Sequence, residues 1–361
     1  MPLVPPYIKA LQNYKPGKPI SEARRDLGIH DIIKLASNEN PQGPSPKALL
    51  AIQNAMRDLH RYPDALGFNL RQKIAGKFNV KIENVILGAG SEGIMSTIMR
   101  TFLLNDDELL SAKDSFIGFR VLAMASGRDI KWVPMKGYKY DLEEMAKRIS
   151  DYTKIIYIAN PDNPMGTYIT KKEFEEFYSY VPDRTLIILD EAYYEFAINQ
   201  NDYPDSMNYR HDNIITLRSF SKAYGLGGVR IGYGLAHEDL IQNLLKVKVP
   251  FEPSLLAQEA GLAALDDIEF LSKTIVINEK GNQLLTKGFD KLGIEYIPST
   301  ANFITTVWES ENRASEISMN LLNKGIIVRH LTSFGWPNCI RISIGLEKEN
   351  IRFIKTLKDL L

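Results

Sequence analysis

Lys222 stands in the run SFSKAYGLGGVRIGYG. A lone lysine is ordinarily a solvated surface residue. Here Ser219, Ser221, Gly227, Gly228 and Arg230 surround it. Small residues let a phosphate approach the backbone, and an arginine can grip that phosphate with two parallel hydrogen bonds. A lysine beside another cation, or in a dry pocket, becomes a neutral amine that condenses with a carbonyl to a Schiff base. Asp190 closes the apolar run TLIILD. A carboxylate there is costly unless a cation pairs with it; that cation belongs either to a ligand or to a structural ion pair, unless Asp190 is a helix N-cap. Gly88-Ala89-Gly90-Ser91-Glu92 precedes a helical pattern. Free N–H groups at a helix start bind phosphate, although many strand-to-helix turns contain glycine. The protonated pyridine nitrogen of pyridoxal 5′-phosphate (PLP) is one cation that would satisfy Asp190.

Such groups need a scaffold that gathers them. The runs NVILG, DELLSA, DIKWVPM, KIIYIA, TLIILD, NIITLRS and VRIGYGLA are nearly continuous in apolar residues. That pattern predicts strands covered on both faces, as in a mostly parallel α/β sheet of about seven strands. EGIMSTIMRTFLL, FRVLAMASG and KKEFEEFYSYV read as helices between them. In open parallel sheets ligands lie beyond the carboxyl ends of the strands. Four strands end in polar clusters: Asn160-Pro161-Asp162-Asn163-Pro164, Asp190-Glu191-Ala192-Tyr193, Phe220-Ser221-Lys222 and the Gly90-Ser91-Glu92 turn. They are expected to meet in one crevice.

Early in the chain SEARRDLG is helix-like, and Ser45-Pro46 reads as an N-cap with proline at the first helical position. Beyond residue 250, VPFEPSLLAQEAGLAAL is helical, and IEYIPSTANFITTVW, GIIVRH and CIRISIG are strands of a smaller α+β part. The expected organisation is an N-terminal arm over 1–36 joining the small domain, a large domain over 37–250 and a small C-terminal domain over 251–361.

The composition bounds function further. Lys plus Arg is 44 and Asp plus Glu is 44, so no net charge favours nucleic acid or an anionic membrane. The single cysteine, Cys339, lies in a strand-like apolar run and reads as a small buried hydrophobe. The five histidines are scattered without metal-ligand spacing, so no metal is expected. No signal peptide and no membrane span are read, and a cytoplasmic protein is expected.

The lysine run, preceded along the chain by KLASNENPQGPSP, RYPDA, ANPDNPMGT and ILDEAYYEF and followed by CIRISIG, resembles the fold-type I PLP-dependent aminotransferases. The opening NYKPGKP followed by KLASNENPQGPSP is more particular to their histidinol-phosphate branch. The resemblance implies that Lys222 holds PLP and moves the substrate proton, with Asp190 on the ring nitrogen. Asn163 and Tyr193 would bind the phenolic oxygen, and Phe116 would stack on the ring. Gly90, Ser91, Glu92, Ser219, Ser221 and Arg230 would surround the phosphate. Tyr62 would reach the phosphate of the neighbouring subunit, which implies a homodimer with shared sites. Tyr14, Asn38, Arg329 and Arg341 match substrate-site positions.

Three residues depart from the family pattern: Phe116 replaces a tyrosine, and Asp162 and Met165 change the loop to N-P-D-N-P-M-G. The implied reaction moves an amino group from L-histidinol phosphate to 2-oxoglutarate, a step of histidine biosynthesis. An aromatic amino acid aminotransferase, a threonine-phosphate-type PLP decarboxylase and a non-catalytic PLP-fold regulator are the alternatives. The last commonly carries a DNA-binding domain, for which this chain is not expected to have room.

Overall fold

The computed structural model describes residues 3–11, 13 and 20–361. All seven apolar runs of the middle region form strands of one sheet. Its spatial order is Val85–Gly88, Gly232–Leu235, Ile214–Ser219, Leu186–Asp190, Thr153–Ala159, Glu108–Ala112 and Asp129–Val133. Gly232–Leu235 pairs antiparallel with both of its neighbours, and the other pairings are parallel.

Every residue of Leu186–Asp190 and Ile214–Ser219 is buried, because helices cover both faces. On one face Ile155, Tyr157 and Ile188 pack with Ile94, Met95 and Ile98 of helix Gly90–Phe102. On the other, Ile156, Ile158 and Ile187 pack with Phe174 and Phe177 of helix Lys171–Tyr178. Side chains alternate between the two cores along each strand. That is why the strands read as unbroken apolar runs.

A second, four-stranded antiparallel sheet has the order Arg329–His330, Cys339–Ser343, Phe303–Val307, Glu295–Ile297. IEYIPSTANFITTVW reads as one strand but forms two. Pro298 cannot donate a ladder hydrogen bond, and the chain turns at 298–302. GIIVRH also divides: Ile326–Ile327 pairs parallel with Ile33–Lys34, and Arg329–His330 pairs with Cys339–Ser343. The first pairing fastens the early chain to the C-terminal region, and Leu35 joins a core with Ile304, Ile342 and Phe353.

VPFEPSLLAQEAGLAAL is helical only over Leu255–Ala264, which Ser254 caps, because proline disfavours the helical region in the residue before it. This helix packs on Pro46–Ala55 and shares a core with Leu70, Val85 and Phe220 of the large-sheet region. Ser45 caps Pro46–Ala55 and donates a 2.6 Å hydrogen bond to Asp267. Helices Phe68–Phe78, Leu142–Lys147 and Glu238–Val247 were not expected from the sequence. Among the described residues no helix is long and apolar enough to cross a membrane.

Candidate active site

The polar strand ends do meet. Gly90, Ser91, Glu92, Phe116, Asn163, Asp190, Tyr193, Ser219, Ser221, Lys222 and Arg230 line one cavity of about 200 Å³. It lies beyond the carboxyl ends of the central strands, as open α/β sheets place their ligands. Lys222 follows the strand Ile214–Ser219 directly, and its Nζ lies 3.4 Å from the Ser37 carbonyl and 5.8 Å from the Tyr193 ring. Burial, then the positive charges of Arg341 and Arg230, depress its amine to about 8. A sizeable neutral fraction near neutral pH is what a nucleophilic amine needs.

Asp190 is buried, and its two hydrogen bonds come from neutral donors. Tyr157 Oη donates at 2.9 Å and the Ala192 amide at 3.2 Å. Burial pushes its carboxyl up to about 6. A buried carboxylate served by neutral donors fits a cationic ring nitrogen arriving with a ligand.

At the other end of the cavity, Gly90 has φ 72° and opens helix Gly90–Phe102. A Cβ on Gly90 would lie 2.7 Å from the Arg230 guanidinium and displace it, and the left-handed backbone there favours glycine. Gly232, in the adjacent strand, is equally constrained: a Cβ there would stand 2.9 Å from the Ser91 nitrogen. Arg230 adopts a left-handed φ of 61°, rare for a long side chain. Its guanidinium faces the carbonyls of Ala89 and Gly227 and the Ser221 hydroxyl at 3.3–3.5 Å, and pairs with Glu92 at 3.4 Å. The Glu92 side chain accepts only, so it orients Arg230 and would leave an anion to the guanidinium, backbone N–H groups and hydroxyls. Ser219, Ser221, Gly90, Ser91 and Arg230 form a cradle suited to a phosphate.

The third margin crosses between the two sheets. Asn38, buried with φ 55°, donates to Tyr193 Oη at 2.9 Å and exchanges hydrogen bonds with Ser343. Burial raises the Tyr193 phenol to about 12, against the pull of Arg341. Arg341 donates to the Asn163 side-chain oxygen and to the Ala36 carbonyl. Arg329 is its direct cross-strand partner, so both side chains share one face of the sheet. Both guanidinium groups lie near the Phe334 ring, at 5.5 and 5.6 Å.

Tyr62 is placed elsewhere: it is 81% exposed and stacks on Phe251 at 4.4 Å. Tyr14 lies outside the described residues. Cys339 is buried, its thiol pushed up to about 12 by burial.

Sequence reasoning passed over Tyr157, which holds Asp190. Its signal was one hydroxyl in KIIYIA, hidden because tyrosine suits an apolar strand. It also passed over Arg218, the one charged residue in NIITLRS. Arg218 is fully buried and paired with Glu191 at 2.7 Å and Asp205 at 2.9 Å. It supports the strand that delivers Lys222.

The family model for aminotransferase class I and II matches residues 30–355, and the chain belongs to that family. It is 40% identical over 364 residues to the histidinol-phosphate aminotransferase of Anaeromyxobacter sp. (strain Fw109-5), covering 100% of each. It is 41% identical over 358 residues to histidinol-phosphate aminotransferase 2 of Carboxydothermus hydrogenoformans, covering 98% of each. Its fold matches the crystal structure of histidinol-phosphate aminotransferase from Sinorhizobium meliloti in complex with pyridoxal-5′-phosphate. That match has a TM-score of 0.90 at 27% identity and covers 100% of this chain and 99% of the other. Within the class, these full-length relatives place the chain in the histidinol-phosphate branch.

Proposed function

We propose that the chain binds PLP at Lys222 and transfers the amino group of L-histidinol phosphate to 2-oxoglutarate. The observation that carries the reading is the shared cavity. A depressed lysine, a carboxylate served by neutral donors and a phosphate cradle line it. Arg341 donates to Asn163 of that lining and shares a sheet face with Arg329.

When bound, PLP supplies a reactive carbonyl and an electron-withdrawing ring. The protein supplies the rest. Asp190, held by Tyr157, keeps the proton on the ring nitrogen. Asn163 and Tyr193 hold the phenolic oxygen, and Phe116 covers the ring. Ser91, Ser219, Ser221 and Arg230 anchor the phosphate. The Lys222 Nζ amine would take the substrate's Cα proton and return it. Arg341 and Arg329 face the substrate anion: two guanidinium groups suit a phosphate dianion. Arg341 also serves the glutamate carboxylate in the return half of the cycle. Tyr14 and Asn38 complete the substrate site.

The homodimer belongs to the same proposal. Leu50, Met56, Leu59, Tyr62 and Phe68 are about half exposed or more, and Phe251 is 43% exposed. So much exposed apolar surface around Tyr62 favours a covered interface, from which Tyr62 reaches the partner subunit's phosphate cradle.

The deciding assay offers L-histidinol phosphate, phenylalanine and threonine phosphate to the purified protein with 2-oxoglutarate. Glutamate should form fastest from L-histidinol phosphate. Faster turnover of phenylalanine moves the assignment to aromatic substrates, and carbon dioxide release from threonine phosphate makes it a decarboxylase. For assembly, an inactive Lys222→Ala protein is mixed with an impaired Tyr62→Ala protein. Exchange should restore activity, because one mixed site has both residues intact; a fully active monomer in sedimentation rules the shared site out.

A further inference from the structure

Phe116 and Asn163 line the cavity from different loops, and their immediate chain neighbours are joined. Ser115 Oγ donates to Asp162 Oδ1, and both residues are buried, Asp162 completely. Asp162 Oδ2 accepts from the Met165 amide at 3.0 Å. The Asp162 main chain closes its own loop, donating to the Thr167 carbonyl at 2.8 Å and accepting from the Gly166 amide at 2.9 Å. On the far side, Tyr140 Oη lies 2.8 Å from Ser115 Oγ and accepts from the Ala159 amide at 3.0 Å. Since Ser115 gives its proton to Asp162, Tyr140 must give its own to Ser115. The chain Ala159, Tyr140, Ser115, Asp162 therefore has one direction and needs an acceptor at its end, and each carboxyl oxygen keeps an accepting lone pair whether or not the group carries a proton. A carboxylate satisfies both Ser115 and Met165. An amide at 162 would set an N–H group against one of those two donors.

The loop carrying Asp162 is also fastened to the smaller sheet. Thr305 Oγ1 donates to the Pro164 carbonyl at 2.6 Å, the Thr300 amide to the Gly166 carbonyl at 2.9 Å, and Arg341 to Asn163.

We propose that Asp162 is a positioning residue: its clamp on Ser115 fixes the gap between Phe116 and Asn163, and so the tilt of the cofactor ring between them. This rests on the PLP reading above. The position next to Asn163 departs from the family pattern, and here it carries the carboxylate on which the chain of hydrogen bonds ends. Burial pushes that carboxyl up to about 7, while its hydrogen bonds and Arg341 pull it down. Tyr140, Tyr157 and Tyr193 feel its charge in turn.

The test uses PLP-loaded protein carrying Ser115→Ala, Asp162→Asn or Ser115→Thr, with Tyr140→Phe as the mildest change should either of the first two fail to fold. Three quantities are read: visible-region circular dichroism per bound cofactor, kcat, and KM for both amino substrates. Ser115→Ala and Asp162→Asn should diminish the dichroism and lower kcat roughly ten-fold, with KM nearly unchanged. Ser115→Thr should restore both, and Tyr140→Phe should shift them less but in the same direction. Wild-type dichroism and kcat in the folded variants overturn the clamp, as does a fall in melting temperature alone. If the unmutated protein develops no visible band with PLP, the cofactor reading itself fails, and the clamp with it.

Discussion

The two ends of the cavity are built differently. The end that holds Lys222, Asp190 and the phosphate cradle comes from strand termini of one sheet, and its contacts join neighbours in that sheet apart from the one from Lys222 Nζ to the Ser37 carbonyl. The end proposed to face substrate is assembled across two sheets. Asn38 reaches Tyr193 and Ser343, Arg341 reaches Ala36 and Asn163, and Asn302 reaches the Asn38 carbonyl at 3.0 Å. A site fixed by one close-packed core is rigid and common to every substrate. A site seated between two sheets can change its contacts without disturbing the chemistry, so discrimination belongs there. Substitutions at the first end should therefore cost all substrates alike, and substitutions at the second should separate them.

The largest expected loss is at Lys222. Lys222→Ala should lower both half-reactions by roughly 10²–10⁴-fold or more, and borohydride should no longer fix PLP to the chain. Turnover at the unmutated rate removes the assignment. Asp190→Ala comes next, with turnover expected to fall roughly 10²–10³-fold, because no carboxylate then keeps the ring nitrogen protonated. The comparison predicts equal losses for L-histidinol phosphate and glutamate. Full recovery of kcat at saturating PLP would mean that Asp190 contributes only affinity.

The second end should behave otherwise. On the proposed reading, Arg329→Ala removes one charged contact to a phosphate, worth about 1.5–3 kcal/mol. That corresponds to a loss of roughly ten- to a hundred-fold in kcat/KM for L-histidinol phosphate, with a smaller loss for glutamate. Arg341→Ala should reduce both. Equal losses from Arg329→Ala in the two half-reactions would erase the difference between the two arginines.

The same division governs what the sequence reveals. Lys222, Asp190 and the glycine turn at 90 were legible because parallel strands announce themselves as apolar runs, and a polar residue at such a strand's end is conspicuous. The crossing contacts were not legible. Asn38 meets Tyr193 and Ser343 only because Ile33–Lys34 pairs with Ile326–Ile327, and two-residue strands leave no periodic signal. Arg329 and Arg341 could be named by resemblance, but their shared sheet face rests on the register of Arg329–His330 against Cys339–Ser343. Tyr157 and Tyr140 stayed hidden because a tyrosine in an apolar setting looks like core until its hydroxyl's partner is seen.

The smallest expected effect concerns the seam between the two ends, where Asp162 is buried. Its carboxyl is raised from the ordinary 3.8 to about 7. Between those values the native protein holds a proton there that the unfolded chain has released, so stability from this group is present at low pH and falls as pH rises toward 7. The slope for one such group is at most about 1.4 kcal/mol per pH unit. Glu195 is also raised by burial, to about 7, and acts in the same direction. Asp64, Glu108 and Asp267 are lowered and act in the opposite one, between the ordinary carboxyl range and more acid pH. Asp162→Asn removes only its own contribution. In urea unfolding of the loaded protein at pH 5 and pH 7, the unmutated chain should lose more stability between the two pH values than the variant does. The variant's deficit from its broken clamp should thus be larger at pH 5 than at pH 7. A deficit of equal size at both would mean that Asp162 is ionised throughout and is held by Arg341 more firmly than burial opposes it.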